Sequence, residues 1–247
     1  MESSQEAHYD NIISLYDSHY HDTESEKYRE EFLNPHLFKN IDLAGKEVME
    51  AMCGSGACGD FLVRNHASIT ALDISSNALS IYQEKRPQTR TVHASATKTN
   101  LPANTYDVIC IVGGLHHLPP HTMEGIKEFH RLLRPNGILC FAEPHDKSFL
   151  NIIRKMWYSI DNLFEENEEA INYEELLQKS SGHFQEISCT YIGGPAYIFV
   201  LNSMVWRMPK KLKTILSPFL FKLEKWLSPI FSKRFASGML VAQWRKI

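Results

Sequence analysis

The chain has 247 residues, 43% of them hydrophobic and 22% charged, with a net charge of −3; that can bury a large core and suits one α/β domain carrying an insertion. No apolar run is long enough to cross a bilayer, and the pI near 6.5 with no base-reading motif argues against a nucleic-acid binder. The five cysteines show no metal-type spacing, and Cys53, Cys58, Cys110 and Cys140 lie in or beside apolar runs, which reads as reduced core thiols. Met1 to Asp10 is polar and acidic where a signal peptide is basic and then apolar, so a cytoplasmic protein is expected. The small net charge hides an asymmetry: residues 201–247 carry +9, from ten basic side chains and Glu224, while residues 1–200 carry −12.

In chain order, apolar residues at helical spacing (Tyr9, Ile12, Ile13, Tyr16, then Tyr28, Phe32, Leu33) predict a helical segment over residues 1–42. From residue 43, short apolar runs at 47–51, 68–72, 91–93, 106–112 and 137–142 read as strands, with helices at 59–65, 77–85 and 121–133 between them. The last of these helices is expected to end at Arg134-Pro135-Asn136-Gly137. Strand alternating with helix implies a parallel sheet covered on both faces, with ligands at the carboxyl ends of the strands. Further on come a helix at 149–163, an acidic cluster (Glu165, Glu166, Glu168, Glu169), a helix at 173–179 and strands at 184–192 and 239–244. The domain thus comprises residues 43–192 and 238–247, and residues 193–237 form an insert. Ser217-Pro218 and Ser228-Pro229 each resemble an N-cap followed by proline at the first helical position, which predicts several short helices there.

The first strand delivers Glu50 and then a glycine turn, Gly54-Ser55-Gly56. Glycine reaches the positive φ such a turn needs, and a β-carbon at Gly54 or Gly56 would hold a ligand off the backbone. Asp73, closing the second strand, suits the two hydroxyls of a ribose. Gly54 to Gly59 also fits G-x-G-x-x-G, so an NAD-dependent oxidoreductase is one reading. Glu50, four residues ahead of Gly54, counts against it, because a carboxylate there would face a dinucleotide's pyrophosphate, whereas a sulfonium ligand with a free amino group would be attracted.

With Ser95-Ala96 and Leu101-Pro102 after the third strand, the run from Tyr106 to Leu118, and Leu132-Leu133-Arg134-Pro135-Asn136-Gly137, residues 43–143 resemble the class I S-adenosylmethionine-dependent methyltransferases, in their small-molecule branch. The resemblance implies a Rossmann-like, mostly parallel seven-stranded sheet with an antiparallel last strand. It also implies S-adenosylmethionine as cofactor and S-adenosylhomocysteine as product. Carried over, it makes Glu50 the partner of the methionine amino group, sets Gly54, Gly56 and Gly113 beside the cofactor, gives the ribose to Asp73, packs Ile74 on the adenine and puts Ser95 and Ala96 at the adenine edge. Met52 stands where the family usually has glycine, and Ser95 where it usually has an acid. The N-terminal helices resemble the family's lid, with Tyr20 or Arg29 placed to meet the methionine carboxylate.

Methyl transfer needs a positioned nucleophile and, where that is protonated, a base. The candidates at the ends of the fourth and fifth strands are His116, His117, Glu143 and His145; histidine titrates near neutrality, and the alternatives are a backbone-orienting turn for the histidines and a capping role for Glu143. Their spacing imposes no metal-ligand geometry, so no metal is expected. The expected reaction is methylation of a small or lipid-like biosynthetic acceptor, on oxygen first, with a non-catalytic cofactor-binding regulator as a further alternative. For the insert, whose Trp206, Phe219, Phe221, Trp226, Phe231 and Phe235 are mixed with lysines, three readings stay open: a substrate cap, a foot on a membrane's inner face through 205–235, or a homodimer contact against the acidic cluster.

Overall fold

The computed structural model describes residues 17, 19–151, 170–203, 205–206 and 208–247. The predicted helix through Tyr9 and Tyr16, most of the helix at 149–163 and the acidic cluster lie outside the described residues.

Seven strands, β1 (Glu47–Ala51), β2 (Ser68–Asp73), β3 (Arg90–His93), β4 (Tyr106–Val112), β5 (Leu133–Glu143), β6 (Phe184–Ile192) and β7 (Met239–Lys246), form one sheet in the order β3-β2-β1-β4-β5-β7-β6. The first five pair in parallel, and β7 runs antiparallel between β5 and β6. Dinucleotide-binding sheets follow the order 3-2-1-4-5-6 instead. Successive residues of β4 point into two different cores, as the two-residue period of a strand requires. Ile109 and Ile111 pack with Met49, Phe129, Phe141 and Trp244 on one face. Val108 and Cys110 pack with Val48, Leu62 and Cys140 on the other. All five cysteines are free thiols, four of them buried.

Three of the predicted helices are present almost as read: α3 (Gly59–Arg64), α4 (Ser76–Lys85) and α5 (Thr122–Leu132). They follow α1 (Thr23–Tyr28) and α2 (Asn34–Leu37), which are joined by a π-helical turn at Arg29–Leu33. Helix α6 spans Tyr173–Ser180. The segment read as a turn after α5 is instead the start of β5. Leu133 already pairs with Tyr106, the register shifts between Tyr106 and Val108, and Asn136 takes up the irregularity at φ 63°.

The insert also departs from expectation. After a π-helical turn at Tyr197–Leu201, a single helix of 22 residues, α7 (Lys210–Phe231), runs straight through Pro218 and Pro229. Each proline removes one backbone donor, yet Lys213, Ser217, Leu220 and Glu224 are buried along one side of the helix and keep it whole. Ser217 caps nothing; its hydroxyl donates to the Lys213 carbonyl at 2.7 Å. Leu220 packs with Tyr28, Val200 and Leu201, and the rings of Tyr28, Phe32 and Phe221 complete the seam between α7 and the N-terminal helices.

Candidate active site

The loop after β1 turns on three residues in the left-handed region, Met52 (φ 53°), Gly54 (φ 52°) and Gly56 (φ 104°). For a methionine this conformation costs about 1–2 kcal/mol. Its side chain packs under Gly114, where a β-carbon would fall 2.9 Å from the Met52 Cβ. The two glycines serve different purposes. A β-carbon on Gly54 would meet nothing within 4 Å, so this backbone faces open space. A β-carbon on Gly56 would fall 2.4 Å from Arg86 Nη1 and 2.8 Å from the Tyr82 ring. Gly56 therefore makes room for the chain's own side chains.

Tyr82 and Arg86 are the functional neighbours that sequence reasoning missed. Glu50 is buried; one carboxylate oxygen accepts from the Cys58 N–H at 2.6 Å and the other from the Tyr82 hydroxyl at 2.7 Å. Burial raises its pKa, against the pull of those two donors and of the Arg86 charge. Arg86 stacks over Tyr82, 4.6 Å from the ring centre, and donates to Asp60 at 2.8 Å and to the Ser55 carbonyl at 3.1 Å. The signal in the sequence is the four-residue spacing of Tyr82 and Arg86 at the end of a helix stopped by Pro87, which puts both on one face.

Asp73, at the end of β2, accepts from the Gly54 N–H at 2.8 Å and the Ser75 N–H at 2.9 Å. Burial raises its pKa, and the Ser75, Gly54 and Ile74 N–H groups and the nearby His117 draw it back. The Ile74 carbonyl meets His93 Nε2 at 2.7 Å. Ser95 Oγ lies 2.8 Å from the Thr97 hydroxyl and accepts the Thr97 N–H at 3.2 Å, while Ala96 is buried in the core. Gly113 (φ 64°) donates to the Ala142 carbonyl at 2.8 Å, joining the ends of β4 and β5.

Glu143 has no exposed surface. One oxygen accepts the Gly114 and Leu115 N–H groups at 2.8 and 2.7 Å, and the other holds His116 Nδ1 at 2.7 Å. The carboxylate thus shapes the turn after β4 and fixes one imidazole. The His117 ring lies against that of His116, with centres 3.9 Å apart and planes tilted by 40°. His145 is buried elsewhere, its Nε2 2.9 Å from Ser237 Oγ and its ring 5.1 Å from that of Tyr191. The structure gathers Glu50, Gly54, Asp73, His116 and His117 at the carboxyl ends of β1, β2 and β4, supports them with Glu143, and sends His145 to the junction between β5 and β7.

The N-terminal helices lie against this region. Arg29, buried, donates to the Tyr20 carbonyl at 2.6 Å, and the Tyr20 hydroxyl reaches Asn202 at 3.4 Å. Asp17 pairs with Lys85. Lys213 of α7, also buried, donates to the His19 carbonyl (3.0 Å), Asp22 (2.7 Å) and Ser25 Oγ (2.7 Å). A cavity of about 550 Å³ opens between these helices, the Gly56 loop and Phe221. It lies on the side of the loop that faces the N-terminal helices, and neither Asp73 nor His116 lines it.

These residues fit a sulfonium nucleoside. Gly54 offers bare backbone to open space, Asp73 has lone pairs left for a diol, and Glu50, with two donors bound, keeps acceptor capacity for an ammonium.

Residues 48–137 match a family model described as a methyltransferase domain. A demethylmenaquinone methyltransferase of Staphylococcus haemolyticus is 29% identical over 115 residues, which is 44% of this chain and 48% of that protein. The chain spans half or less of the length of the curated relatives it matches. Among solved structures, the [4+2]-cyclase SpnF is similar at a TM-score of 0.69 and 14% identity, over 100% of this chain and 97% of that one. The N-methyltransferase NodS of Bradyrhizobium japonicum, in complex with S-adenosyl-l-homocysteine, gives 0.57 and 13% identity over 91% and 88%. Family match and sheet order agree: residues 48–137 match a methyltransferase domain, and the seven-stranded sheet has the fold of the S-adenosylmethionine-dependent methyltransferases.

Proposed function

We propose that the protein methylates a small or lipid-like acceptor at a hydroxyl oxygen, with His116 as the base. The observation that carries this reading is the Glu143–His116 pair. A carboxylate with no exposed surface, 2.7 Å from Nδ1, favours the tautomer protonated there, the form in which a histidine takes up a proton at Nε2. Bound S-adenosylmethionine supplies a methyl group already activated by positive sulfur. Glu50 holds the amino group, Gly54 and Gly113 lie alongside, Asp73 binds the ribose, Ile74 packs on the adenine, and Ser95 and Ala96 border its edge. Arg29 and Tyr20 close from the lid toward the methionine carboxylate. His117 steadies the Asp73 charge. Glu143 acts through His116 as a positioning residue, and His145 supports the junction between β5 and β7 without touching the acceptor.

The lipid-like option draws support from the relative whose named acceptor is demethylmenaquinone. Calorimetric titration with S-adenosylmethionine and S-adenosylhomocysteine, on wild type, Glu50→Gln and Asp73→Asn, tests the cofactor assignment. Asp73→Asn is expected to weaken binding by about 1.5–3 kcal/mol, the worth of a charged hydrogen bond. Affinity unchanged in both variants overturns the assignment. With an acceptor in hand, His116→Gln is expected to lower kcat by about 10²–10⁴-fold.

A further inference from the structure

We infer that the outward face of α7 is a docking face for an anionic lipid surface. One side of this helix belongs to the protein, where Lys213, Ser217, Leu220 and Glu224 are buried. The other side is apolar as well and faces water. Ile215 is 72% exposed, Phe219 63%, Trp226 76%, Ile230 53% and Leu212 44%. With half-buried Leu223 these residues follow one another at three- and four-residue intervals, so they form one continuous stripe. At 1.5 Å per residue the stripe is about 27 Å long. Phe235, 68% exposed, continues the apolar surface just past the helix.

Exposed cations border the stripe. Lys211 and Lys222 stand beside it, Lys225 reaches Glu31, and Lys233 follows the last turn. Residues 201–247 carry +9 against −12 for the remainder; with Lys213 buried, Arg245 and Lys246 on β7, and Lys225 and Arg234 paired with Glu31 and Glu174, the cations left to meet an anionic surface at this face include Lys211, Lys222 and Lys233. The only acid of the region, Glu224, is turned inward onto the Gly194 and Ala196 N–H groups at 2.7 and 2.9 Å, leaving the outer face basic. A second copy is the poorer occupant, because a two-fold contact would set these lysines against their own counterparts. Among the described residues no helix is long and apolar enough to cross a membrane, and a helix with apolar and basic residues on one side lies along an interface.

Docking through this face holds whatever acceptor the active site takes. The test is co-sedimentation of the full chain with phosphatidylcholine vesicles, with and without phosphatidylglycerol, at low and moderate salt. It uses wild type, the pair Phe219→Ser with Trp226→Ser, and the pair Lys211→Glu with Lys222→Glu. All four positions are exposed, and a thermal melt checks that the variants fold as wild type does. The wild type is expected to pellet with anionic vesicles at low salt and to lose about tenfold or more of its partitioning when salt is raised or phosphatidylglycerol is omitted. Each pair of substitutions is expected to cost about tenfold or more, with an unchanged melt. Absence of pelleting at low salt, pelleting indifferent to both pairs, or equal binding to phosphatidylcholine alone would each overturn the proposal. So would a wild-type dimer, seen by sedimentation velocity without lipid, that the serine pair dissociates, since the face would then belong to a second copy. Cofactor titration of the same samples separates the two readings: vesicle binding without S-adenosylmethionine binding refutes methyl transfer and leaves the docking face standing.

Discussion

Two regions of this molecule bury charge in opposite ways. At the ends of β1 and β2, Glu50 and Asp73 are held largely by backbone N–H groups of the loops that follow them, Cys58, Gly54 and Ser75. At the lid, the Lys213 ammonium of α7 holds oxygens of residues 19–25, which lie at the other end of the chain. The first arrangement forms wherever the sheet forms. The second exists only when two distant segments dock, and can be lost while the sheet persists. On the function proposed above, the cofactor would meet the part that forms with the sheet, while the N-terminal helices are held by a few contacts between distant segments.

Several measurements would break or sharpen this contrast. The largest effect is expected from Glu143→Ala, which leaves the Gly114 and Leu115 N–H groups and the His116 ring without their carboxylate. A loss of about 3–5 kcal/mol in global stability by urea denaturation is expected, as for a broken buried charge contact. Glu143→Gln, with the shape kept, is expected to lose activity far more than stability. Lys213→Met should cost about 2 kcal/mol, read as faster amide exchange and proteolysis over residues 19–37 while exchange in β1 and β4 stays slow. Uniform destabilisation of lid and sheet together would erase the distinction.

The glycines separate packing from ligand contact. Gly56→Ala drives a methyl group into Arg86 and Tyr82 and is expected to lower stability by about 1–3 kcal/mol, the scale of overpacking. Gly54→Ala meets no atom and should cost about 1 kcal/mol in strain alone, yet weaken cofactor binding about tenfold or more. Equal stability losses with unchanged affinity in Gly54→Ala would show that its open side is not the ligand's.

The effect confined to the narrowest range of conditions is electrostatic. Burial, with the charges of Arg29, Lys85 and Arg86, pushes the His21 pKa from 6.5 down to about 2. Below pH 6.5 the released segment takes up a proton that the docked one refuses, so docking weakens by about 1 kcal/mol per pH unit as the pH falls. In the sheet's flank the sign is the same but the range is lower. Arg131 and Thr99 hold the Glu128 pKa at about 2, so its contribution is complete above 4.5 and fades only as pH drops from there toward 2. Between pH 6.5 and 4.5 the lid is expected to become sensitive to protease while far-ultraviolet dichroism is unchanged, and His21→Phe should abolish that window.

The parts of this fold legible in the sequence have local causes. The strands at 47–51 and 106–112 are unbroken apolar runs, and the Gly54 turn and Asp73 announce themselves by position and type. The stretch misread most clearly, α7, carries two Ser-Pro pairs that signal helix starts locally. The burial of Ser217, Leu220 and Glu224 against the lid overrides them. Lys213 and Glu224 read as surface charges because their partners, residues 19–25 and the 194–196 turn, are brought to them only by the fold. Arg86 escaped notice for the same reason: its work is on the loop 30 residues before it.

The position of β7 bears on the order in which the molecule is made. β6 joins the sheet only through β7, and the Trp244 indole completes the cluster of Phe141, Tyr173 and Phe184. On the ribosome, β1 to β5 can assemble as they emerge, but β6 waits at an open sheet edge until the seventh strand clears the exit tunnel and slides in between. Closure of that edge is a late event, and a chain that stops before β7 emerges is left with an unfinished sheet and β6 unpaired.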